Sequence, residues 1–398
     1  MPVTNPGSGD IIVHVFGRTD VGRTREHNED CFVVADLTTM NATLQPEVRE
    51  HRPGPRGSLF MVADGMGGAA AGEIASQMAV EVVLEDLDAR WRKSEATDAD
   101  AFVTALRAAV ELVNTRIHRF AMEHPEFRGM GTTTTIAGIL GDMLYLCQVG
   151  DSRGYLVRGG VARQITKDQS LVQRLIDAGE LTPEEAEVSE RRNIILQALG
   201  PEPMVKVDVT VQQLCRGDTL LLCSDGLSGL VRTDDISRIV SEAPDLVSAC
   251  KNLIDLANEN GGPDNITVIT ARFEGDGLQP PAAHDDVGHR AYVSPSETRP
   301  TMPVDAGMVQ ASIEALDALD MSMATTAEVK AAGRPAEASR GPAEDASGNV
   351  ESRNTKPVAP LPPPAATQRM SVTQVRVIFG TITVAVGAWL AWLYLLRD

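Results

Sequence analysis

Short apolar runs separated by turn-forming residues dominate the first two thirds of the chain. IIVHVFG, CFVVAD, LFMVAD, TTTIAGIL, MLYLCQVG, GYLVR, TLLLCSD and ITVITARF are rich in β-branched and aromatic residues and predict strands. VKVDVTVQ alternates strictly and predicts a strand with one wet face. Between groups of strands the spacing changes. Ile74, Met78 and Val82 recur at helical intervals, as do Phe102, Leu106, Ala109, Val113 and Ile117, and again Leu246, Cys250, Leu253 and Ala257. Each set lays one apolar stripe on a sheet. Helices grouped between blocks of strands predict α+β layering rather than strict β-α-β alternation.

Three stretches leave this pattern. Residues 167–199, KDQSLVQRLIDAGELTPEEAEVSERRNIILQAL, are polar and helix-prone. TPEE within them reads as a capping box, with Thr182 capping, Pro183 opening the helix and Glu185 reaching back, so this segment is expected to pass over the surface. From about residue 275 the chain turns to Pro, Ala, Ser, Thr and acidic residues, with too few large apolar side chains to build a core. A folded part over 1–274 and a disordered linker over 275–375 are expected. Val377–Leu396 carries no charge and meets the ~20 residues that a helix needs to cross a bilayer, with Trp389, Trp392 and Tyr394 near one end as interface residues. Residues 376–398 therefore predict one transmembrane tail anchor. Arg369 and Arg376 precede the span and Arg397 follows it, which favours a cytoplasmic folded part on a single-pass protein of the cytoplasmic membrane.

Charge narrows the partners. The formal net charge of −19 repels nucleic acid, and no basic cluster with interleaved aromatics offsets it. The 5 cysteines form no CxxC pair and lie mostly in apolar runs, as reduced, buried thiols do.

Candidate chemistry lies where apolar runs stop on a carboxylate. MVADGMGG places Asp64 at a strand end with glycine behind it. LLCSDGLSG does the same at Asp225, with looser versions at Asp151 in CQVGDSRG and Asp264 in NGGPDNITV. A single Asp-Gly is more often a plain turn than a ligand. Several acidic strand ends together, joined by Asn28-Glu29-Asp30, repel one another unless cations neutralise them. The donors are all oxygens, which selects a hard ion, Mg2+ or Mn2+, over zinc, and none of the 7 histidines has a metal-ligand spacing.

GRTREHNED (22–30), VADGMGG with GEIAS (62–76), GMGTT (129–133), VGDSRGYLVRGG (149–160), CSDGLSG (223–229) and GGPDNITV (261–268) resemble, in order and spacing, the bacterial branch of the metal-dependent PPM family. These are the type 2C serine/threonine protein phosphatases. The resemblance covers residues 11–273. It implies an α-β-β-α sandwich, two packed antiparallel sheets flanked by helix pairs, with the helical flap at 167–199 beside a metal centre. It also implies that Asp64 bridges two Mn2+ or Mg2+ ions, that the Gly65 carbonyl completes one site, and that Asp225 and Asp264 ligate from their own loops. Asp151 matches the ligand of a possible third ion. Glu29 and Asp30 match acidic residues that hold metal-bound water, Asn265 supports Asp264, and Arg25 matches the arginine that grips the substrate phosphate. The implied reaction is hydrolysis of phosphoserine and phosphothreonine in proteins by a water activated between two divalent cations.

Other readings have less support. Cys147–Arg153 satisfies the Cys-x5-Arg spacing of thiolate phosphatases, but Asp151 would put negative charge in the phosphate cradle and Arg153 leads into a strand. Aspartyl-phosphate enzymes need a second Asp, which VDVT at 207–210 lacks. A membrane-tethered pseudophosphatase or phosphoprotein-binding scaffold is the non-enzymatic alternative. Met66 and Ala69 stand where relatives carry histidines, which leaves proton donation to the leaving group unassigned. With its anchor, the expected partners are membrane serine/threonine kinases and their substrates.

Overall fold

Most strand-forming runs are apolar at consecutive positions, so each strand must bury both of its faces. In the computed structural model, which describes residues 9–43, 45, 47–282 and 286–294, two stacked sheets between helices meet that demand. These residues lie inside a unit spanning 1–306.

The chain opens with β1 (Ile12–Asp20), β2 (Asp30–Asp36), the short β3 (Asn41–Thr43) and β4 (Arg49–His51), and β5 (Ser58–Met66). α1 (Ala69–Asp86) and α2 (Ala99–Glu123) follow as a pair. Then come β6 (Gly131–Thr132), β7 (Thr134–Leu140), β8 (Met143–Val149), β9 (Arg153–Arg158) and β10 (Val161–Gln164). α3 (Leu171–Asp177) and α4 (Pro183–Glu187) belong to the flap. β11 (Asp208–Gln213), β12 (Thr219–Cys223), the single turn α5 (Asp225–Ser228), α6 (Thr233–Glu242), α7 (Leu246–Glu259) and β13 (Ile266–Glu274) complete the order.

One sheet runs β10-β9-β12-β13-β1-β4 and the other β11-β8-β7-β5-β2-β3, with β6 paired to β5. Neighbours pair antiparallel throughout, from β1 on β13 to β7 on β8. The period of two along a strand distributes side chains between layers. On β2, Phe32 and Val34 enter the layer between the sheets with Phe60, Val62, Leu222 and Phe273. Val33 and Ala35 point the other way, into a second layer with Val83, Phe102, Leu106 and Val113 of α1 and α2. Ile236, Ile239, Cys250 and Leu253 of α6 and α7 cover the outer face of the first sheet. The α+β sandwich expected from the motifs is present, and Thr182 and Glu185 form the expected capping box.

The boundary at residue 274 is too early. Gly277 N–H donates to Asp10 O (3.1 Å), Arg216 N–H to Gln279 O (2.8 Å), Val211 N–H to Arg290 O (2.9 Å) and Tyr292 N–H to Val209 O (2.9 Å). Leu278 and Val287 are buried in the layer between the sheets, and the Tyr292 hydroxyl donates to Asp100 (2.6 Å). Residues 286–294 therefore act as a strap along the free edge of β11, and 277–279 pair with Asp10 and Arg216. Averaged composition hides this, because three well-placed apolar side chains and an edge strand with unpaired amides are enough to dock an otherwise polar segment. The rest of the expected linker and the expected span at 376–398 lie outside the described residues. Among the described residues, no helix is long and apolar enough to cross a membrane.

Candidate metal centre

Sheet topology carries the acidic strand ends to one rim. Asp30 opens β2 and pairs in register with Asp64 near the end of β5. In the other sheet, Asp225 follows β12 and Asp264 precedes β13, and these two strands pair side by side. Asp151 sits in the link from β8 to β9, where the chain crosses from one sheet to the other. The carboxylates act on one another electrostatically: Asp30, Asp225, Asp151 and Asp264 all bear on Asp64.

Backbone approach and hydrogen bonds fix Asp64, Asp30 and Asp264. Gly65 N–H donates to Glu29 O (3.1 Å), and a Cβ on Gly65 would stand 2.2 Å from Gly72 O. Only glycine lets the turn behind Asp64 press against α1. Thr133 N–H and Thr132 Oγ1 both donate to Asp64 O (2.8 Å each). Ser224 Oγ (2.8 Å) and Thr267 Oγ1 (2.6 Å) donate to Asp30 Oδ2. Asn265 ties the loop before β13 to the β1–β2 loop at three points. Its Oδ1 accepts from Glu29 N–H (2.8 Å), its Nδ2 donates to Val21 O (3.0 Å) and His27 O (2.9 Å), and its own N–H donates to Asp264 Oδ1 (2.8 Å).

Crowded, buried carboxylates hold their protons. Desolvation, and then repulsion from Asp225 and Asp264, push Asp30 up to about 7 against the help of its two hydroxyl donors. Desolvation, and then Asp225 and Asp168, push Asp151 up to about 8. Asp64 lies well above the ordinary carboxylate range for the same first reason, with Asp30 and Asp225 next. Desolvation and Asp264 raise Asp225, and a side-chain hydrogen bond with Asp64 partly offsets this. Among the described residues, no three Asp, Glu, His or Cys side chains form a closed cage around one point. The site nevertheless fits divalent cations, because Asp30 Oδ1 and Asp151 Oδ1 are buried acceptors with no partner. Oxygens unpaired beside other carboxylates are what a hard cation satisfies.

Comparison with known proteins agrees with this geometry. The family model described as protein phosphatase 2C matches residues 48–265, more than half of the chain. The chain belongs to the protein phosphatase 2C family. The serine/threonine phosphatase stp of Listeria monocytogenes is 40% identical over 258 residues, 65% of this chain and 94% of that protein. The crystal structure of the Mycobacterium tuberculosis serine/threonine phosphatase PstP/Ppp superposes with a TM-score of 0.55 at 36% identity, covering 66% of this chain and 99% of that one. The PstP catalytic domain in complex with 2 manganese ions gives 0.54 at 36% identity over 66% and 99%. As a protein phosphatase 2C, this chain is a metal-dependent serine/threonine phosphatase that uses Mn2+ or Mg2+.

Within this phosphatase, Arg25 reaches the rim, where its Nη2 donates to Asp264 Oδ2 (2.9 Å) and Nη1 lies 3.9 Å from Glu29 Oε1. Its guanidinium remains partly exposed to solvent. Cys147 is fully buried and desolvation pushes its thiol up to about 12, while Arg153 is spent on Asp168 (2.7 Å). The thiolate reading therefore fails, because a protonated thiol inside the core cannot attack phosphorus. The hydroxyls that hold Asp30 and Asp64 were not singled out from the sequence. The adjoining threonines of GMGTT were on view as part of a motif, but Ser224 and Thr267 carry no spacing that marks them.

Proposed function

We propose that Asp64, the Gly65 carbonyl, Asp225 and Asp264 hold the two divalent cations of this phosphatase, that Asp151 holds a third, and that Glu29 and Asp30 order water beside them. When bound, the cations would lower the pKa of a water so that hydroxide is available to attack phosphorus near neutral pH, and would neutralise charge on the phosphoryl group. The convergence of these carboxylates, with unpaired buried oxygens on Asp30 and Asp151, carries the reading. Arg25, half-exposed at the rim, turns its fork from Asp264 toward the incoming phosphate and orients it. Asn265 fixes the loop that presents Asp264, and the paired hydroxyls of Ser224 and Thr267 keep the Asp30 carboxylate facing the site.

Hydrolysis of a phosphothreonine peptide with Mn2+ and with EDTA tests the assignment. Turnover is expected to need the metal, to fall by more than about a hundredfold in Asp225→Asn, and to stay within about twofold in Cys147→Ser, since a lost ligand costs more than the 10–100-fold of a lost supporting residue. A folded, metal-loaded protein without turnover would instead indicate a phosphoprotein-binding scaffold.

We further propose that residues 376–398 anchor the enzyme in the cytoplasmic membrane. The remainder of 275–375 beyond the strap then tethers it near membrane serine/threonine kinases and their substrates. The uncharged run Val377–Leu396 supports this.

A further inference from the structure

The flap leaves the catalytic body directly after Asp168 and Gln169, and these two residues grip both sides of Asp151. Arg153 Nε donates to both Asp168 oxygens (3.0 Å each). On the other side, Gly150 N–H donates to Gln169 Oε1 (3.0 Å) and Gln169 N–H donates back to Gly150 O (2.9 Å). The same amide looks outward with its nitrogen, donating to Lys206 O (3.3 Å) and to Asp208 Oδ2 (3.1 Å) at the start of β11. Its backbone carbonyl accepts from Leu196 N–H (2.8 Å), on the returning limb of the flap. Ser170 bridges Ile195 immediately beyond. Gln169 is 9% exposed and ties together three separate segments, the Gly150 turn, Leu196 and Lys206–Asp208.

We propose that Gln169 is a positioning residue for Asp151, locking the Gly150–Ser152 turn to the foot of the flap and to β11 so that Asp151 presents its unpaired oxygen to a cation. This rests on the metal-binding role given to Asp151 above. A buried glutamine that only filled space would stabilise the fold without affecting the metal. Supporting residues behind a ligand typically tune affinity 10–100-fold. Loss of the clamp also frees one foot of the flap.

The test is Mn2+ binding to the full-length chain, counted by electron paramagnetic resonance of free Mn2+, with the melting temperature in EDTA as the fold control. Asp151→Asn is expected to remove one Mn2+ site. Gln169→Met is expected to weaken that same site on the order of tenfold and leave the others unchanged. The double variant should bind as Asp151→Asn alone, and trypsin should cut faster after Arg191 and Arg192 in the flap of Gln169→Met. Asp208→Ala, a change at a half-buried position, should weaken the same site in the same direction and serves if Gln169→Met does not fold. Wild-type Mn2+ binding by Gln169→Met, or by Asp208→Ala in its place, overturns the proposal. So do losses in Gln169→Met and Asp151→Asn that add. Unchanged binding in Asp151→Asn removes the metal role of Asp151 and this proposal together, whereas a loss there with none in Gln169→Met removes the clamp alone.

Discussion

Asp30 and Asp151 keep their protons into the neutral range, at about 7 and about 8, because burial penalises their charged forms and neighbouring carboxylates repel them. In the unfolded chain both would ionise near 4. Between about pH 4 and 8 the folded, metal-free protein thus binds more protons than the unfolded one, and these groups withdraw stability as pH rises through that window. Metal bound as proposed above reverses the sign, since cations need the ionised form and expel the protons. Melting temperatures measured in EDTA should fall from pH 5 to 8, while the gain on adding Mn2+ should grow over the same range. A gain independent of pH would show that the carboxylates are not titrating on binding. Asp64 and Asp225 were legible in the sequence because an apolar strand that stops on Asp-Gly is a local pattern. Ser224, Thr267 and Gln169 were not, because a hydroxyl or amide acquires its role only from a partner far along the chain, such as Asp30 or Gly150.

At the level of elements, the strap and the flap behave differently. Leu278, before the strap, and Val287, within it, are buried, at ~1.5–3 kcal/mol each. Ending the chain at residue 275 instead of 294 should lower the melting temperature by roughly 10 °C, at ~2–4 °C per kcal/mol for a domain of this size. Tyr292→Phe, which removes one hydrogen bond to Asp100, should cost only ~1 kcal/mol. Both are read by calorimetry, and equal stability of the two truncations would mean that the strap contributes nothing. In the flap, Thr182→Ala breaks a capping box on a short exposed helix. It should leave the melting temperature nearly unchanged while speeding tryptic cleavage at Arg191. The box was legible because its four residues are contiguous. The strap was missed because its meaning depends on β11, which sequence alone gave no free edge.

For the whole molecule, layering could be read from the alternation of strand and helix patterns, whereas the order of strands within each sheet could not. Nothing local in β1 says that its neighbours are β13 and β4. The tether is argued at this scale too. Removing residues 376–398 is expected to move the enzyme from the membrane fraction to the soluble fraction and to raise phosphorylation of membrane proteins, read by fractionation and phosphoproteomics. Retention in the membrane fraction would end that proposal.

The pairing of β1 with β13 places the first and last strands of the sandwich side by side, Ile12 opposite Glu274, with β13 lying between β12 and β1. During synthesis, the β1–β4 and β12–β9 pairs have no strand to bridge them until Ile266–Glu274 has left the ribosome, and Asp264 arrives only just before. Such distant closure is slow and leaves the early strands exposed while they wait. With Asp264 in the metal site proposed above, a nascent chain would be unable to assemble that site, and so to strip phosphate from anything, until its folded body is essentially complete.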